Sequence, residues 1–205
     1  MSLGEPSGVD HLREIKVTSS ELCKGQMLHV LRDTVQLPDG ASATREYVVH
    51  PGAVMVVPLL EDAQGRLRLV MERQFRYPVN QVMIEFPAGK LDSGEEPFHC
   101  AQRELREETG YSATHWARAG VLHPVISYST EFIDIWFARG LTAGERQLDD
   151  GEFLDVFTTT PEELMTWCRD GRVTDAKTLT AALWLQNVLG GAWQLDWFEL
   201  PQFSG

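Results

Sequence analysis

The chain has 205 residues, of which 43% are hydrophobic and 23% are charged. This length fits one domain with a sizeable core, or one domain with a small appendage. The net charge of −12 argues against DNA or RNA as a partner, because surfaces that bind nucleic acids are normally basic.

The N-terminal part of the chain predicts a β-hairpin outside the main core. Residues 28–37 and 42–49 have the composition of strands, and the Pro-Asp-Gly sequence at 38–40 favours a turn between them. Because an isolated two-stranded hairpin is marginally stable in water, this hairpin is expected to need a partner.

The middle of the chain predicts the strands of a larger sheet. Residues 53–60 form an apolar run suited to a buried strand, and residues 67–73 alternate well enough to pair with it. A short strand at 83–86 leads into Pro87, Ala88 and Gly89. The later strand candidates are 116–122, 132–138 and 153–158.

A first helix is predicted over residues 96–109. Ser93 and Glu96 have the spacing of a capping box, and Gly110 is a natural residue to end the helix. Ala101 and Leu105 are expected to pack inward from one side of this helix.

Two more helices are predicted in the C-terminal third. One opens at the capping box of Thr160 to Glu163 and stops at Gly171, and the last runs from about Asp175 to Leu189. The expected apolar stripe of the last helix is Leu179, Leu183, Leu185 and Val188. Because strands and helices mix without regular βαβ alternation, the sequence predicts an α/β sandwich of the α+β type with a mixed sheet.

The cysteines and the apolar runs predict a cytoplasmic protein that does not enter a membrane. Cys23, Cys100 and Cys168 are far apart and form no CxxC pair, which is typical of reduced thiols. The longest apolar run, 53–60, is too short to span a bilayer.

The most specific pattern in the chain lies between Gly89 and Tyr111. Its defined positions are Gly89, Glu95, Arg103, Glu104, Leu105, Glu107, Glu108, Gly110 and Tyr111. In a helix, Glu104, Glu107 and Glu108 share one ridge, where like charges repel by about 0.2–0.5 kcal/mol per pair. Such a cluster is expected to have a use, and hard divalent cations bind carboxylate oxygens. The alternative is a solvated acidic face on an amphipathic helix.

This pattern matches the Nudix box at every defined position, so the chain resembles a Nudix hydrolase. That family hydrolyses nucleoside diphosphates linked to another group. The surrounding sequence is similar to the ADP-ribose pyrophosphatase subfamily at 73–76, 85–89, Pro124, 129–131 and 149–152. The resemblance covers about residues 44–190 and implies an α/β/α sandwich. We therefore expect an N-terminal β region at 1–48, a Nudix domain at 49–191 and a tail at 192–205.

The resemblance implies a metal site around the box helix. The metal ligands carried over by position are the backbone carbonyl of Ala88 and the carboxylates of Glu104 and Glu108. Arg103 is expected to pair with a box carboxylate such as Glu95 and to orient the set, and a surface ion pair is the alternative.

The resemblance also assigns catalytic roles to the acidic loop, which consists of residues 149–152. Asp150 stands at the position of the general base, and Glu152 is expected to supply another metal contact. The family usually has glutamate at the first position, and aspartate is one methylene shorter, so Glu152 stays open as the base. Glu107 on the box helix is a third catalytic candidate, as a metal or water ligand.

Five residues are carried over as substrate-binding. Arg76 is expected to hold a phosphate, because the guanidinium fork suits phosphate oxygens. Arg45 and Glu46 stand where the subfamily contacts the adenosine end, Glu131 matches a glutamate at the terminal ribose, and Lys90 follows Gly89 in the box.

The function that the resemblance implies is hydrolysis of ADP-ribose to AMP and ribose 5-phosphate, with Mg²⁺ or Mn²⁺ as cofactor. One alternative is another substrate, such as GDP-mannose or a dinucleotide, and the other is a Nudix domain that senses such ligands without hydrolysis. The subfamily forms homodimers in which the N-terminal region crosses to the other subunit, so a homodimer is expected.

Overall fold

The computed structural model describes residues 9–148 and 150–201, which form two compact units. The first unit contains residues 9–50 with Val125–Glu131, and the second contains Pro51–Pro124 with residues 132–201. The N-terminal β region expected at 1–48 and the tail expected at 192–205 each include residues outside the described ranges. Their boundaries therefore stay predictions.

The first unit is a three-stranded antiparallel sheet in the order β1-β2-β3. Its strands are β1 Ile15–Lys24, β2 His29–Gln36 and β3 Ser42–Val49. The predicted hairpin is confirmed as β2 and β3, and Gly40 in its turn has a φ of 87°. Strand β1 adds an edge that is exposed at every position.

The second unit is built on a mixed sheet in the order β10-β5-β4-β9-β8-β11, with β6 paired to β5 and β7 paired to β4. The strands are β4 Ala53–Glu61, β5 Leu67–Arg76, β6 Gln81–Glu85, β7 Ala88–Lys90, β8 Tyr111–Leu122, β9 Ile133–Ala143, β10 Leu154–Thr159 and β11 Phe198–Glu199. Strands β4 and β9 are parallel, and the other pairs are antiparallel.

Helices cover both faces of this sheet, so the predicted α/β/α sandwich is confirmed. They are α1 Pro97–Thr109, α2 Pro161–Arg169 and α3 Ala176–Leu189. Because side chains alternate along a strand, Val54 and Val56 of β4 pack with α1, whereas Met55 and Val57 pack with α2 and α3. No helix in the described part of the chain is long and apolar enough to cross a membrane.

The helix ends differ from expectation at one place. Helix α1 begins at Pro97, one residue after the predicted start, but the expected capping box of Ser93 and Glu96 is not formed and no described side chain caps the helix. The reason is local, because a residue before proline is driven out of the helical region and Glu96 has an extended ψ of 138°. The second capping box is confirmed, since the Thr160 hydroxyl accepts from Glu163 N–H while the Glu163 carboxylate accepts from Thr160 N–H.

The apolar stripe predicted for α3 is partly wrong. Leu185 is buried, but Leu179 and Leu183 are 39% and 52% exposed. The inward positions are instead small residues such as Ala181 and Ala182. The aromatic residues of the C-terminal segment pack against the body of the protein, with Phe198 against Phe98, Trp193 against Trp184 of α3, and Trp197 against the core on the α3 side.

Candidate metal-binding and catalytic site

Helix α1 holds the box glutamates at the surface of the sheet. Ala101 and Leu105 are fully buried against β4, as predicted, and this packing fixes the rotation of the helix. Glu104 and Glu108 are consequently drawn inward and are only 8% and 3% exposed. The acidic ridge is therefore largely removed from water, which argues against a solvated acidic face.

Gly89 makes room for the Glu104 carboxylate. A Cβ atom at position 89 would overlap the carboxyl group of Glu104. Strand β7 aligns Gly89 with Val54 of β4, so the backbone cannot easily move away. The glycine of the box is thus explained by the close approach of a carboxylate to the main chain.

Arg103 organises the acidic side chains around it. Its Nε and Nη2 donate to the two oxygens of Glu95, each at 2.9 Å, so the predicted pairing is confirmed. Its Nη1 donates to Glu104 at 2.8 Å and to Glu107 at 3.1 Å. Nη2 also reaches the carbonyl oxygen of Lys90 at 3.1 Å. The Arg103 hydrogen bonds lower the pKa of Glu95 to about 2.

Burial gives the inward glutamates a preference for the uncharged form. It raises the pKa of Glu104 to about 7, against the opposing attraction of Arg103. It also raises the pKa of Glu108, and the charge of Glu72 adds to the effect. One Glu108 oxygen accepts a hydrogen bond from the Ala88 N–H at 2.9 Å. Protonation of these glutamates, or the binding of a cation beside them, therefore lowers the electrostatic free energy of the site.

The structure adds a carboxylate that sequence reasoning missed. Glu72 on β5 is fully buried, and burial together with the charge of neighbouring Glu85 raises its pKa. Glu85 is held by Arg76, whose Nε and Nη2 donate at 2.8 and 2.9 Å, and by Lys177 of α3. A signal for Glu72 was present in the sequence, since a lone glutamate follows the apolar run of β5.

The acidic loop contributes one side chain close to these groups. Glu152 is half-buried, accepts from Gln74 Nε2 at 3.3 Å, and its charge affects Glu72, Glu104 and Glu108. Asp150 is exposed in the turn before Gly151, and Asp149 lies outside the described residues.

Three of the expected substrate-binding residues belong to the first unit. Arg45 forms an ion pair with Glu14, and Glu46 accepts from Arg32 Nε at 2.8 Å. Glu131 lies 3.9 Å from a ring nitrogen of His50. The other two are in the second unit, where Arg76 holds Glu85 and the Lys90 side chain is exposed.

The family model of the NUDIX domain matches residues 49–182, which is more than half of the chain. The chain belongs to the Nudix family. Among similar proteins is an ADP-ribose pyrophosphatase of Bacillus subtilis, 34% identical over 85% of this chain and 94% of that protein. Another is a methanol dehydrogenase activator of Bacillus methanolicus, also 34% identical, over 84% of this chain and 92% of that protein.

A solved structure supports the Nudix fold independently. The crystal structure of an ADP compounds hydrolase superposes with a TM-score of 0.77 and covers 88% of this chain and 96% of that one. Since the two sequences are 22% identical, this likeness concerns the fold alone.

The donor set of the Nudix site fits a hard divalent cation, although its oxygens are engaged within the protein. Among residues 9–148 and 150–201, no three acidic, histidine or cysteine side chains are already arranged to hold a metal ion. Arg103 and the Ala88 N–H occupy oxygens of Glu104, Glu107 and Glu108 instead. The buried carboxylates of Glu104 and Glu108 suit a cation that replaces those donors.

Proposed function

We propose that the chain hydrolyses the pyrophosphate of ADP-ribose to AMP and ribose 5-phosphate. The observation that carries this proposal is the pair of buried glutamates, Glu104 and Glu108, on α1 beside Gly89. The substrate is supported by the ADP-ribose pyrophosphatase that matches most of the chain.

The proposed cofactor is Mg²⁺, with Mn²⁺ as a substitute, held by Glu104, Glu108 and the Ala88 carbonyl. When bound, such an ion neutralises pyrophosphate charge and lowers the pKa of water. Arg103 acts as a positioning residue, because it contacts Glu95, Glu104 and Glu107 at once.

The proposed substrate contacts rest on the charges of the side chains and on where those side chains lie. Glu85 accepts from Nε and Nη2 of Arg76 and so fixes the guanidinium in place, and we propose that Nη1 binds a phosphate oxygen. Lys90 adds a second positive charge near the box. Arg45, Glu46 and Glu131 are proposed to contact the adenosine and terminal ribose ends.

Purified protein with Mg²⁺ should release AMP from ADP-ribose faster than nucleotides from GDP-mannose or a dinucleotide. Glu108→Gln keeps the side-chain volume but removes a proposed ligand, so turnover should fall by several orders of magnitude while the fold is retained. Glu162→Gln, on the exposed side of α2, is the matched control and should behave like wild type. A folded Glu108→Gln protein with near-normal turnover would contradict the site, and ligand binding without hydrolysis by wild type would indicate a sensor.

We propose that Glu152 is the general base, ahead of Asp150 and Glu107. Its half-buried carboxylate contacts Gln74, whereas Asp150 is exposed and Glu107 is bound to Arg103. Glu152→Gln should lower kcat strongly and resist rescue by excess Mg²⁺, and Asp150→Asn should be mild. The reverse pattern would assign the base to Asp150, and two mild variants would leave Glu107.

We propose that the protein is a cytoplasmic homodimer. Strand β1 exposes Ile15, Val17 and Leu22, and an exposed apolar edge strand favours pairing with another chain. Sedimentation of the intact protein should give twice the mass of one chain. Val17→Glu should weaken the dimer, and Thr18→Glu, which adds the same charge at a polar position, should weaken it less. A wild-type protein that is monomeric and fully active at assay concentration would refute the dimer.

A further inference from the structure

Glu72 is a buried carboxylate without a hydrogen-bond partner. Its side chain is fully buried in β5, and neither of its oxygens is bonded to a described group. An ionised carboxylate in such a place is destabilising unless a positive charge compensates it. A charged Glu72 therefore needs a cation, and the described part of the chain places none in contact with its oxygens.

The cationic side chains nearest to Glu72 are already committed. Its cross-strand neighbour Glu85 takes the guanidinium of Arg76 and the ammonium of Lys177. Lys177 also donates to Asp175 at 3.1 Å. These two positive charges therefore compensate Glu85 and Asp175 before Glu72.

The surroundings of Glu72 are rich in oxygen ligands. Residues 72 and 74 share one face of the strand, and the Gln74 side-chain oxygen is also buried without a partner. The same Gln74 contacts Glu152 through its amide nitrogen. Glu72 is close enough to Glu108 and Glu152 for their charges to interact. The unpartnered oxygens thus belong to side chains that lie near the carboxylates of the candidate site.

We propose that Glu72 is a further carboxylate ligand of the divalent cation that binds around Glu108. This inference rests on the proposed function, which requires such a cation. Carboxylate oxygens are the ligands that Mg²⁺ and Mn²⁺ prefer. Glu72 of β5 and Glu108 of α1 would hold the ion together, and its positive charge would compensate Glu72.

The test is Mn²⁺ binding by the full-length protein, measured by electron paramagnetic resonance of free Mn²⁺. Glu72→Gln removes the charge at nearly constant volume, and Glu72→Asp keeps the charge but shortens the side chain. Both should weaken Mn²⁺ binding by about tenfold or more, the usual scale for losing an ordered group at a metal site. Glu162→Gln should bind like wild type. Without metal, Glu72→Gln should unfold near or above the wild-type temperature, because the glutamine cannot ionise in a buried place that disfavours a charged carboxylate.

Two results would overturn the assignment. Wild-type Mn²⁺ affinity in Glu72→Gln would remove Glu72 from the site, and wild-type affinity in Glu72→Asp would mean that it acts through charge alone. AMP release by wild type is scored separately. If wild type does not hydrolyse ADP-ribose but both Glu72 variants lose Mn²⁺, the proposed function fails and the ligand assignment stands.

Discussion

Replacing Gly89 by alanine should disable the site while leaving the fold nearly intact. Because φ at Gly89 is not positive, alanine can adopt the backbone conformation there. The main effect of the added methyl group is therefore its overlap with the Glu104 carboxylate. Because nonbonded carbon atoms lie about 3.5 Å apart at contact, the carboxylate must move by more than ~1 Å. A misplacement of ~1 Å at a catalytic group costs on the order of 100-fold in rate.

The stability cost of the same change should be moderate. Moving Glu104 breaks its 2.8 Å contact with Arg103, and inserting a methyl group into a tightly packed site costs about 1–3 kcal/mol. For a chain of this size, 1 kcal/mol lowers Tm by about 2–4 °C. Gly25→Ala is the matched control, because a Cβ there meets only an ordinary contact of 3.7 Å. Turnover of ADP-ribose and Tm should be measured together. A Gly89→Ala protein with the turnover of Gly25→Ala would refute the reasoning.

Two further predictions concern stability. Thr160→Ala removes the hydroxyl that caps α2 and should cost about 1 kcal/mol in chemical unfolding. Thr166→Ala, which loses a bond to a carbonyl within the same helix, should cost less, and equal losses would refute the capping argument. Hydrogen bonds from Arg66 N–H and neighbouring donors lower the pKa of Asp62 to about 2, below its ordinary 3.8. Asp62 therefore contributes stability above pH 4 that is lost as the pH falls towards 2. The difference between wild type and Asp62→Asn should shrink over that interval in acid unfolding, and a constant difference would contradict it.

The order of strands and helices in the second unit was largely predictable from local patterns. Strand β4 is a continuous apolar run because both its faces are buried, and the box helix carries its own stop at Gly110, with a φ of 76°. The start of α1 was also decided locally, but by Pro97 rather than by Ser93.

Other features depend on distant parts of the chain. Strand β1 is exposed throughout, so its existence follows from pairing with β2 and not from a hydrophobic pattern. Helix α3 is apolar on several sides, and close packing selects Ala181 and Ala182 over larger leucines. Glu72 could be located on a strand, but its position beside Glu85 comes from the pairing of β5 with β6.

The parallel pairing of β4 with β9 has a consequence for folding. Ala53 is aligned with Ile133, so the ladder at the centre of the sheet joins residues that are 80 positions apart (133 − 53). Helix α1 and strand β7 both lie within the segment that this pairing closes. Contacts between such distant residues slow folding, because loop-closure entropy is lost before the contacts form. During synthesis, the α1 carboxylates can reach their final environment only after β9 has emerged.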